Sequence, residues 1–436
     1  MDPTLQKYLS GHEAPETRLA VDLARREKGW RHVLVVPAHD ESPDFIDGYG
    51  DACSAAEGHT LVIAVLNGHE DDAPDRRARD LECFAELTRG AERISVDGHV
   101  GMLRSESAFD LLVLDRVTHG RTLAAGEGVG TARRAGADLA LGLHALGAIR
   151  RNWIHNTDAD VRLPRDYFET LPTEPKIVAS LAPFEHVEVP GEDALNLATL
   201  RYELRLRWYV SGLRHAGSSR AHHSIGSTIS VRPRAYAAVR GFPRRTAGED
   251  FYLLDKLVNV GRIETRRMSP LQIRARHSDR VPFGTGPAVA ELEGAREFRV
   301  YDPTIFERLA RLHAALAVVV RGGDIDELHR ALDGLPHLAL VLRARGWLEA
   351  IEAIVRRGPP AQLRRRLVEY LDGLKTLQLV HALRDERWPD LPLDEAWRDA
   401  EFLGARRREQ VGVEAMLRYL RAREGHARSP FASAGR

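Results

Sequence analysis

The sequence has few of the residues that mark several classes of protein. Only two of its 436 residues are cysteines, Cys53 and Cys83, and they form neither a C-x-x-C pair nor a disulfide framework. The longest apolar run, Ala314–Val320, is far shorter than the roughly 20 residues of a membrane-spanning helix. The first residues lack the basic-then-apolar pattern of a secretory signal. These absences predict a cytoplasmic protein with no transmembrane segment, and leave peripheral membrane contact open.

The sequence also lacks an excess of either charge. Lysine and arginine total 63, and aspartate and glutamate also total 63. A balanced chain has no overall field to attract nucleic acid, so we predict no nucleic-acid partner. Hydrophobic residues make up 43% of the chain, which is ordinary for a globular protein. The length indicates two units, or one large domain with an extension.

Short apolar runs alternate with helical patterns through the first 280 residues. Continuous apolar runs are typical of strands that are buried on both faces of a parallel sheet. Strands are predicted at Val33–Val36, Leu61–Leu66, Leu111–Asp115, Trp153–His155, Ile177–Leu181, Ile225–Val231 and Leu271–Ala275. Helices are predicted at Phe45–Glu57, at Leu81–Thr88 and from Thr131 onward. The alternation predicts an α/β fold with a mainly parallel sheet and helices on both faces.

The pattern changes near residue 300, after which strand signals disappear. Arginine-rich segments with helical periodicity follow, and the last residues are rich in Ser, Ala, Gly and Arg. The predicted division is a helical lead-in (1–30), an α/β domain (31–300), an all-helical extension (301–424) and a disordered tail (425–436). The extension offers a surface through which copies of the chain could form a homo-oligomer.

Two carboxylates follow the predicted Trp153–His155 strand. Asp158 and Asp160 lie in the segment N-T-D-A-D, at the carboxyl edge of the predicted sheet, where open α/β folds bind ligands. Carboxylates of this kind suit Mg²⁺ or Mn²⁺, which also bind substrate phosphates. A surface turn with two solvated acids is the simpler interpretation of a D-x-D taken alone.

Other polar residues follow the neighbouring strands. Pro37–Glu41 ends the first strand and Asn67 ends the second, where they could contact a nucleotide or form ordinary turns. The glycine-rich segment around Gly128 leads into a helix that carries Arg133 and Arg134. Its N–H groups and these guanidinium groups could bind a diphosphate. The segment matches neither a Walker loop nor a Rossmann fingerprint.

Two further features depend on their surroundings for an interpretation. Glu249 and Asp250 begin a predicted helix, where acids are favoured by capping and by the helix dipole. The functional alternative is a general base aimed at an acceptor hydroxyl. His277 follows the last predicted strand and is either an ordinary histidine or a third ligand to the metal of the D-x-D.

The order of these segments resembles the family 2 glycosyltransferases of the GT-A fold, over residues 31–280. The strongest parts of the resemblance are G-S-T-I-S-V-R-P-R-A-Y-A-A-V-R-G-F and G-E-D-F-Y-L-L-D-K-L-V-N-V-G. Arg240 replaces the first glycine of the family's Gly-Gly-Phe. The histidine after this core resembles the one that binds metal in relatives that make glucosyl-phosphoglycerate or mannosylglycerate.

The resemblance implies transfer of a sugar from a nucleoside-diphosphate sugar to a hydroxyl acceptor. It implies that Asp158 and Asp160 hold Mg²⁺ or Mn²⁺ on the diphosphate and that His277 completes the metal site. It also implies that Asp250 is the base if the reaction inverts the anomeric centre. The implied nucleotide-pocket residues are Pro37, His39, Glu41 and Asn67.

Two alternatives stay open at this point. In the first, a retaining transferase acts on glycerate or phosphoglycerate, and Glu249 and Asp250 position the acceptor. In the second, the chain is a non-catalytic scaffold that binds a nucleotide sugar and assembles through its helical extension. The sequence does not specify the sugar, the base or the acceptor.

Overall fold

The computed structural model describes residues 2–26, 29–278, 280, 284–404 and 412–424. The chain groups into two compact units, one of Met1–Asn196 with Ser224–Pro287 and one of Leu197–His223 with Ala288–Arg436. Residues 197–223 thus group with the C-terminal helices, whereas the sequence division assigned them to the 31–300 segment. The bounds of the functional domains stay a prediction, and the predicted disordered tail lies outside the described residues.

The first unit is built on a nine-stranded sheet and a three-stranded sheet. Their strands are β1 (His32–Ala38), β2 (Thr60–Asn67), β3 (Glu92–Val96), β4 (His99–Ser105), β5 (Asp110–Arg116), β6 (Ile154–Asn156), β7 (Val161–Arg162), β8 (Ile177–Leu181), β9 (Phe184–Val187), β10 (Ile229–Val231), β11 (Arg262–Thr265) and β12 (Leu271–Arg274). The large sheet has the order β11-β8-β10-β6-β1-β2-β5-β4-β3, and the small one has the order β7-β12-β9. Strands β5, β2, β1 and β6 are mutually parallel, while β10 runs antiparallel between β6 and β8.

Helices also form in the described chain before residue 300. They are α1 (Pro3–Leu9), α2 (Leu19–Ala24), α3 (Asp47–Ala55), α4 (Pro74–Leu87), α5 (Val129–Ala145), α6 (Asp193–His215), α7 (Pro233–Ala238), α8 (Glu249–Leu257) and α9 (Thr285–Glu293). Short 3-10 turns occupy Pro15–Arg18, Pro43–Ile46 and Gly226–Thr228. The predicted α/β class is confirmed, and the large sheet is mixed, with parallel strands at its centre and antiparallel pairs toward its edges.

The central strands are buried on both faces, as their apolar runs predict. On one face, an added Cβ at Gly136 of α5 would lie 2.5 Å from Val35 and 3.1 Å from Val65. On the other face, Leu34 and Val62 are fully buried as well. Because α5 packs directly on β1 and β2, its first turn lies close to the carboxyl ends of these strands.

Helices dominate the chain after residue 300, as predicted. They are α10 (Pro303–Val320), α11 (Ile325–Asp333), α12 (Pro336–Ala344), α13 (Trp347–Arg357), α14 (Pro360–Tyr370), α15 (Gly373–Glu386), α16 (Leu393–Asp399) and α17 (Val413–Glu424), with a 3-10 turn at Glu401–Leu403. The region is not entirely helical, because β13 (Arg299–Val300) pairs with β14 (Leu391–Pro392). Among the described helices, none is both long enough and apolar enough to cross a membrane.

The structure differs from the local predictions at three places. The strand predicted at Ile225–Val231 forms only over its last three residues, because Gly226–Thr228 makes a 3-10 turn. The helix predicted at Leu81–Thr88 begins earlier, at Pro74, a residue suited to the first helical position. The β3–β4 hairpin was not predicted at all. Its turn residues Asp97 and Gly98 both have positive φ, which is the known preference of a D-G hairpin turn.

Candidate functional site

The predicted site residues gather where the carboxyl ends of β1 and β6 lie side by side. Strand β1 pairs in parallel with β2 on one side and with β6 on the other. The N–H of Thr157 continues this pairing by donating to the Val35 carbonyl at 3.0 Å. Glu41 follows β1, and Asp158 and Asp160 follow β6. The strand order reverses here, because the segments after β1 lead to β2 on one side and those after β5 lead to β6 on the other. Open α/β sheets form their ligand crevice at such a point.

One chain of ion pairs links Asp158 to the start of helix α8 through Arg133. The Arg133 Nη2 atom lies 2.7 Å from Asp158 Oδ1, and its Nε atom lies 3.0 Å from Glu249 Oε1. Arg133 is only 2% exposed. Gly226 leaves room for the guanidinium group, since an added Cβ there would be 2.5 Å from Nη2. Arg133 therefore holds Asp158 and Glu249 in fixed positions.

A second chain of ion pairs links Asp160 to Glu41. Arg276 Nη2 lies 2.7 Å from Asp160 Oδ2, and Arg276 Nη1 lies 2.5 Å from Glu41 Oε1. Arg280 Nη1 also contacts Glu41 Oε1, at 2.7 Å. Arg276 and Arg280 were not among the residues predicted to form the site. The arginine-rich composition was the only signal, and it does not reveal which arginines face the acids.

Asp250 lies in the first turn of α8, beside Glu249. Gly248 precedes the helix with a φ of 74°, a left-handed conformation that glycine adopts readily and that turns the chain into the helix. The Oδ1 atom of Asp250 accepts a hydrogen bond from the N–H of Phe251 at 2.7 Å. Loss of solvent, together with the adjacent Glu249 carboxylate, raises the pKa of Asp250 to about 7. A carboxyl with such a pKa can exchange protons near neutral pH.

We call these groups the acid–arginine network. Its members are Glu41, Asp158, Asp160, Glu249, Asp250, Arg133, Arg276 and Arg280. Five carboxyl groups thus face three guanidinium groups. Loss of solvent is the main cause that raises the pKa of Glu41 and of Asp160, and the nearby Asp158 raises both further. The network is therefore short of positive charge, which is the condition for binding a cation.

His277 was predicted to complete the metal site of Asp158 and Asp160. Its side chain is exposed, and Arg276 is the neighbour that contacts Asp160. Among the described residues, the group with three ligand atoms within metal-binding range consists of His39, Asp72 and Asp80 rather than Asp158, Asp160 and His277. The metal-binding role of Asp158, Asp160 and His277 stays a prediction.

Gly128 and Arg134 serve packing in this structure. A Cβ on Gly128 would lie 2.9 Å from backbone atoms of Thr246, so only glycine lets the two segments approach. Arg134 donates to the carbonyl of Phe242 at 2.7 Å and contacts Asp138 at 3.3 Å. These contacts account for both residues without a ligand, and their role in diphosphate binding stays a prediction without structural support.

The predicted nucleotide-pocket residues also have protein partners. Pro37 is buried within β1. His39 Nδ1 lies 2.7 Å from the Asn67 carbonyl. We assign the Asn67 amide nitrogen to the side that faces two carbonyls, where it donates to Val65 and Ala38, each at 3.2 Å. Glu41 belongs to the acid–arginine network, and the His39 backbone carbonyl accepts a hydrogen bond from Arg280 of that network. Contact of any of them with a nucleotide stays a prediction.

Two comparisons with known proteins found no match. No protein-family model matches the chain, and no curated protein matches its sequence significantly. The case for a function therefore depends on the geometry of the network.

Proposed function

We propose that this protein is a metal-dependent glycosyltransferase that moves a sugar from a nucleoside-diphosphate sugar to a hydroxyl acceptor. The observation that carries the proposal is the acid–arginine network at the carboxyl edge of β1 and β6. It combines an excess of carboxylates with guanidinium groups at the ligand-binding edge of a parallel sheet. A donor diphosphate needs both kinds of group, because its phosphates bind cations of the protein and a divalent ion together.

The carboxylates fit a divalent cation. Arg133 contacts Oδ1 of Asp158 and Arg276 contacts Oδ2 of Asp160, so each guanidinium group uses one carboxylate oxygen. We assign the second oxygen of each aspartate to Mg²⁺ or Mn²⁺, both of which favour carboxylate ligands. When bound, the ion would neutralise charge on the diphosphate leaving group.

The arginines provide the second part of a diphosphate site. Arg276 and Arg280 converge on one oxygen of Glu41, at 2.5 and 2.7 Å. A guanidinium group has five N–H donors, so each arginine keeps donors for a phosphate while it holds Glu41. In this proposal Glu41 positions the two arginines, and they bind the donor.

Asp250 is the group best suited to deprotonate the acceptor hydroxyl. Its pKa of about 7 makes it an effective base near neutral pH. Glu249 is less suited, because its Oε1 atom is 3.0 Å from the Arg133 guanidinium group. We therefore assign Glu249 the positioning of Arg133 and assign Asp250 the proton transfer.

The proposal is tested by incubating the full chain with a panel of nucleotide sugars and Mn²⁺ and measuring release of nucleoside diphosphate. Asp250→Asn should lower kcat by about 10²- to 10⁴-fold, as expected for loss of a general base. It should leave donor affinity unchanged, and Asp255→Asn on the same helix is the matched control. Inversion of the product's anomeric centre would support a base role, whereas retention would favour the acceptor-positioning alternative. Absence of turnover across the panel would contradict the proposal and favour the scaffold.

A further inference from the structure

We propose that His39, Asp72 and Asp80 form a second metal site, separate from the acid–arginine network. The site lies beyond the carboxyl ends of β1 and β2. His39 follows β1, Asp72 lies in the loop after β2, and Asp80 lies on helix α4. One ligand atom from each of the three residues lies within 4.8 Å of the others. This inference does not depend on the proposed function.

The distances fit a common metal ion. His39 Nε2, the ring nitrogen that would bind the ion, lies 3.8 Å from Asp72 Oδ2. Ligand atoms bonded to one Zn²⁺ at about 2.0–2.2 Å are separated by roughly 3–4.4 Å, as the bond lengths and angles require. Only small side-chain movements are therefore needed to bring the three groups onto one ion.

Asp80 supplies an independent indication of a ligand. The residue is 5% exposed, and its Oδ1 atom accepts a hydrogen bond from the N–H of Asp40 at 2.7 Å. Its Oδ2 atom is buried and has no hydrogen-bond partner, although it faces His39. Buried carboxylate oxygens are normally hydrogen-bonded, so this oxygen, which lies 3.2 Å from His39 Nδ1, is suited to bind a cation.

The surroundings hold the ligands in place. The Asn67 carbonyl, 2.7 Å from His39 Nδ1, accepts that N–H and leaves Nε2 with the lone pair that a metal requires. The N–H of His69 donates to Asp72 Oδ2 at 2.7 Å. Gly68 keeps the centre open, because a Cβ there would lie 3.2 Å from Asp80 Oδ2 and 3.5 Å from Asp72 Oδ2.

The ligand set indicates the class of metal. An imidazole with two carboxylates suits a transition ion such as Zn²⁺, whereas Mg²⁺ and Ca²⁺ prefer oxygen ligands alone. The nearby Asp40 is neutralised by Arg76 and Arg79, at 3.2 and 2.6 Å. In contrast, the His39 side chain is the group that faces both Asp72 and Asp80. A Zn²⁺ ion would balance the two acids while His39 stays neutral.

The experiment measures zinc bound to the full chain after EDTA treatment, by equilibrium dialysis and elemental analysis. Wild type and Asp71→Asn should bind one equivalent, because Asp71 is an exposed neighbour of Asp72. His39→Gln and Asp72→Asn should each weaken binding by at least about 10²-fold, as expected for loss of one ligand. Asp160→Asn should keep the equivalent, because Asp160 belongs to the other site.

Two further readouts keep the result decisive. Zinc should raise the Tm of wild type and of Asp71→Asn but not that of Asp72→Asn, whose metal-free Tm and circular dichroism report whether it folds. Co²⁺ should give a visible absorption band in wild type that His39→Gln removes. The proposal is overturned if wild type does not bind zinc, or if His39→Gln and Asp72→Asn bind zinc as tightly as wild type. Either result would show that His39 forms a simple ion pair with the acids. Loss of zinc binding in Asp160→Asn would show that the zinc site is not separate from the acid–arginine network.

Discussion

Helix α5 joins two clusters of charged groups that differ in how fully the charges are satisfied. At one cluster, Asp138 is fully buried and its carboxylate accepts hydrogen bonds from Tyr8 at 2.8 Å, Tyr236 at 2.6 Å and the N–H of Ala14 at 2.7 Å. Arg134 adds an ion pair at 3.3 Å. This carboxylate has partners on every side.

The acid–arginine network differs from this cluster in its ratio of carboxyl to guanidinium groups. Arg133, which precedes Arg134 on α5, belongs to this network. Five carboxyl groups share three guanidinium groups there. Burial and neighbouring carboxylates together raise the pKa of Glu41, Asp160 and Asp250, whereas the pKa of Asp138 is raised by burial and lowered by its partners. Both clusters contain buried charge, so burial alone does not identify a site. We infer that the Asp138 cluster, which we call the saturated cluster, stabilises the fold, and we propose that the network, with its excess of carboxyl groups, binds a ligand.

The largest expected effect comes from removing a carboxylate of the network. Asp160→Ala should lower transfer by at least about 10³-fold, because the cation and its charge stabilisation are lost. Its Tm should stay near that of wild type, since the change also relieves repulsion between acids. A steep fall in Tm with normal specific activity of the folded fraction would break the comparison and make Asp160 structural.

The saturated cluster should respond in the opposite way. Asp138→Ala leaves Arg134 and two tyrosine hydroxyls without their buried partner, and we expect a loss of about 3–5 kcal/mol in the free energy of unfolding. Urea titration followed by circular dichroism measures this loss. The folded fraction should keep its kcat. A variant that unfolds at the wild-type urea midpoint would show that saturation does not distinguish the two clusters.

The pH dependence of kcat/KM tests the raised pKa of Asp250 and its proposed role as a base. Asp250 acts as a base only when ionised, and its pKa is about 7. Activity should therefore fall about tenfold for each pH unit below this value and level off above it. Glu249→Gln should move the midpoint to lower pH, because it removes a negative neighbour. An unchanged midpoint in this variant would remove Asp250 from the base role.

The smallest effect is expected for one hydroxyl of the saturated cluster. Tyr8→Phe removes a single hydrogen bond to Asp138 and should cost about 1–2 kcal/mol of unfolding free energy. Tyr49→Phe is the matched control in the network's surroundings, since its hydroxyl donates to the Asp158 backbone carbonyl at 3.0 Å. Urea midpoints of the two variants measure both changes. A larger loss for Tyr49→Phe than for Tyr8→Phe would contradict the assignment of the Asp138 cluster as the main stabilising one.

The central strands were predictable because burial on both faces leaves a strong apolar signal. Strands β1, β2 and β5 contain the whole of the predicted runs Val33–Val36, Leu61–Leu66 and Leu111–Asp115. The edge strands β9 and β11 were missed, since F-E-H-V and R-I-E-T mix polar and apolar residues. Their structure depends on pairing with neighbours rather than on their own pattern.

The position of the candidate site could be predicted from the sequence, but the contacts between its residues could not. Strand ends identified Glu41, Asp158 and Asp160, because parallel strands bring their carboxyl ends to one edge. The contact of Arg276 with Glu41 joins residues 235 positions apart, and a single sequence carries no pattern for such a pair. The cluster of His39, Asp72 and Asp80 was not predicted for the same reason. Gly128 and Arg134 show the converse case, in which a ligand-like motif is explained by packing.

The central claim is that the acid–arginine network binds a divalent cation together with a nucleoside diphosphate. The most direct test is the Tm of wild type and Asp160→Ala with UDP, GDP, ADP or CDP, each with and without Mn²⁺, since a ligand that binds only the folded state raises Tm. We predict a shift for one base that requires Mn²⁺, is lost in Asp160→Ala and is kept in Asp250→Asn. No shift across the panel, or an equal shift in Asp160→Ala, would contradict the claim.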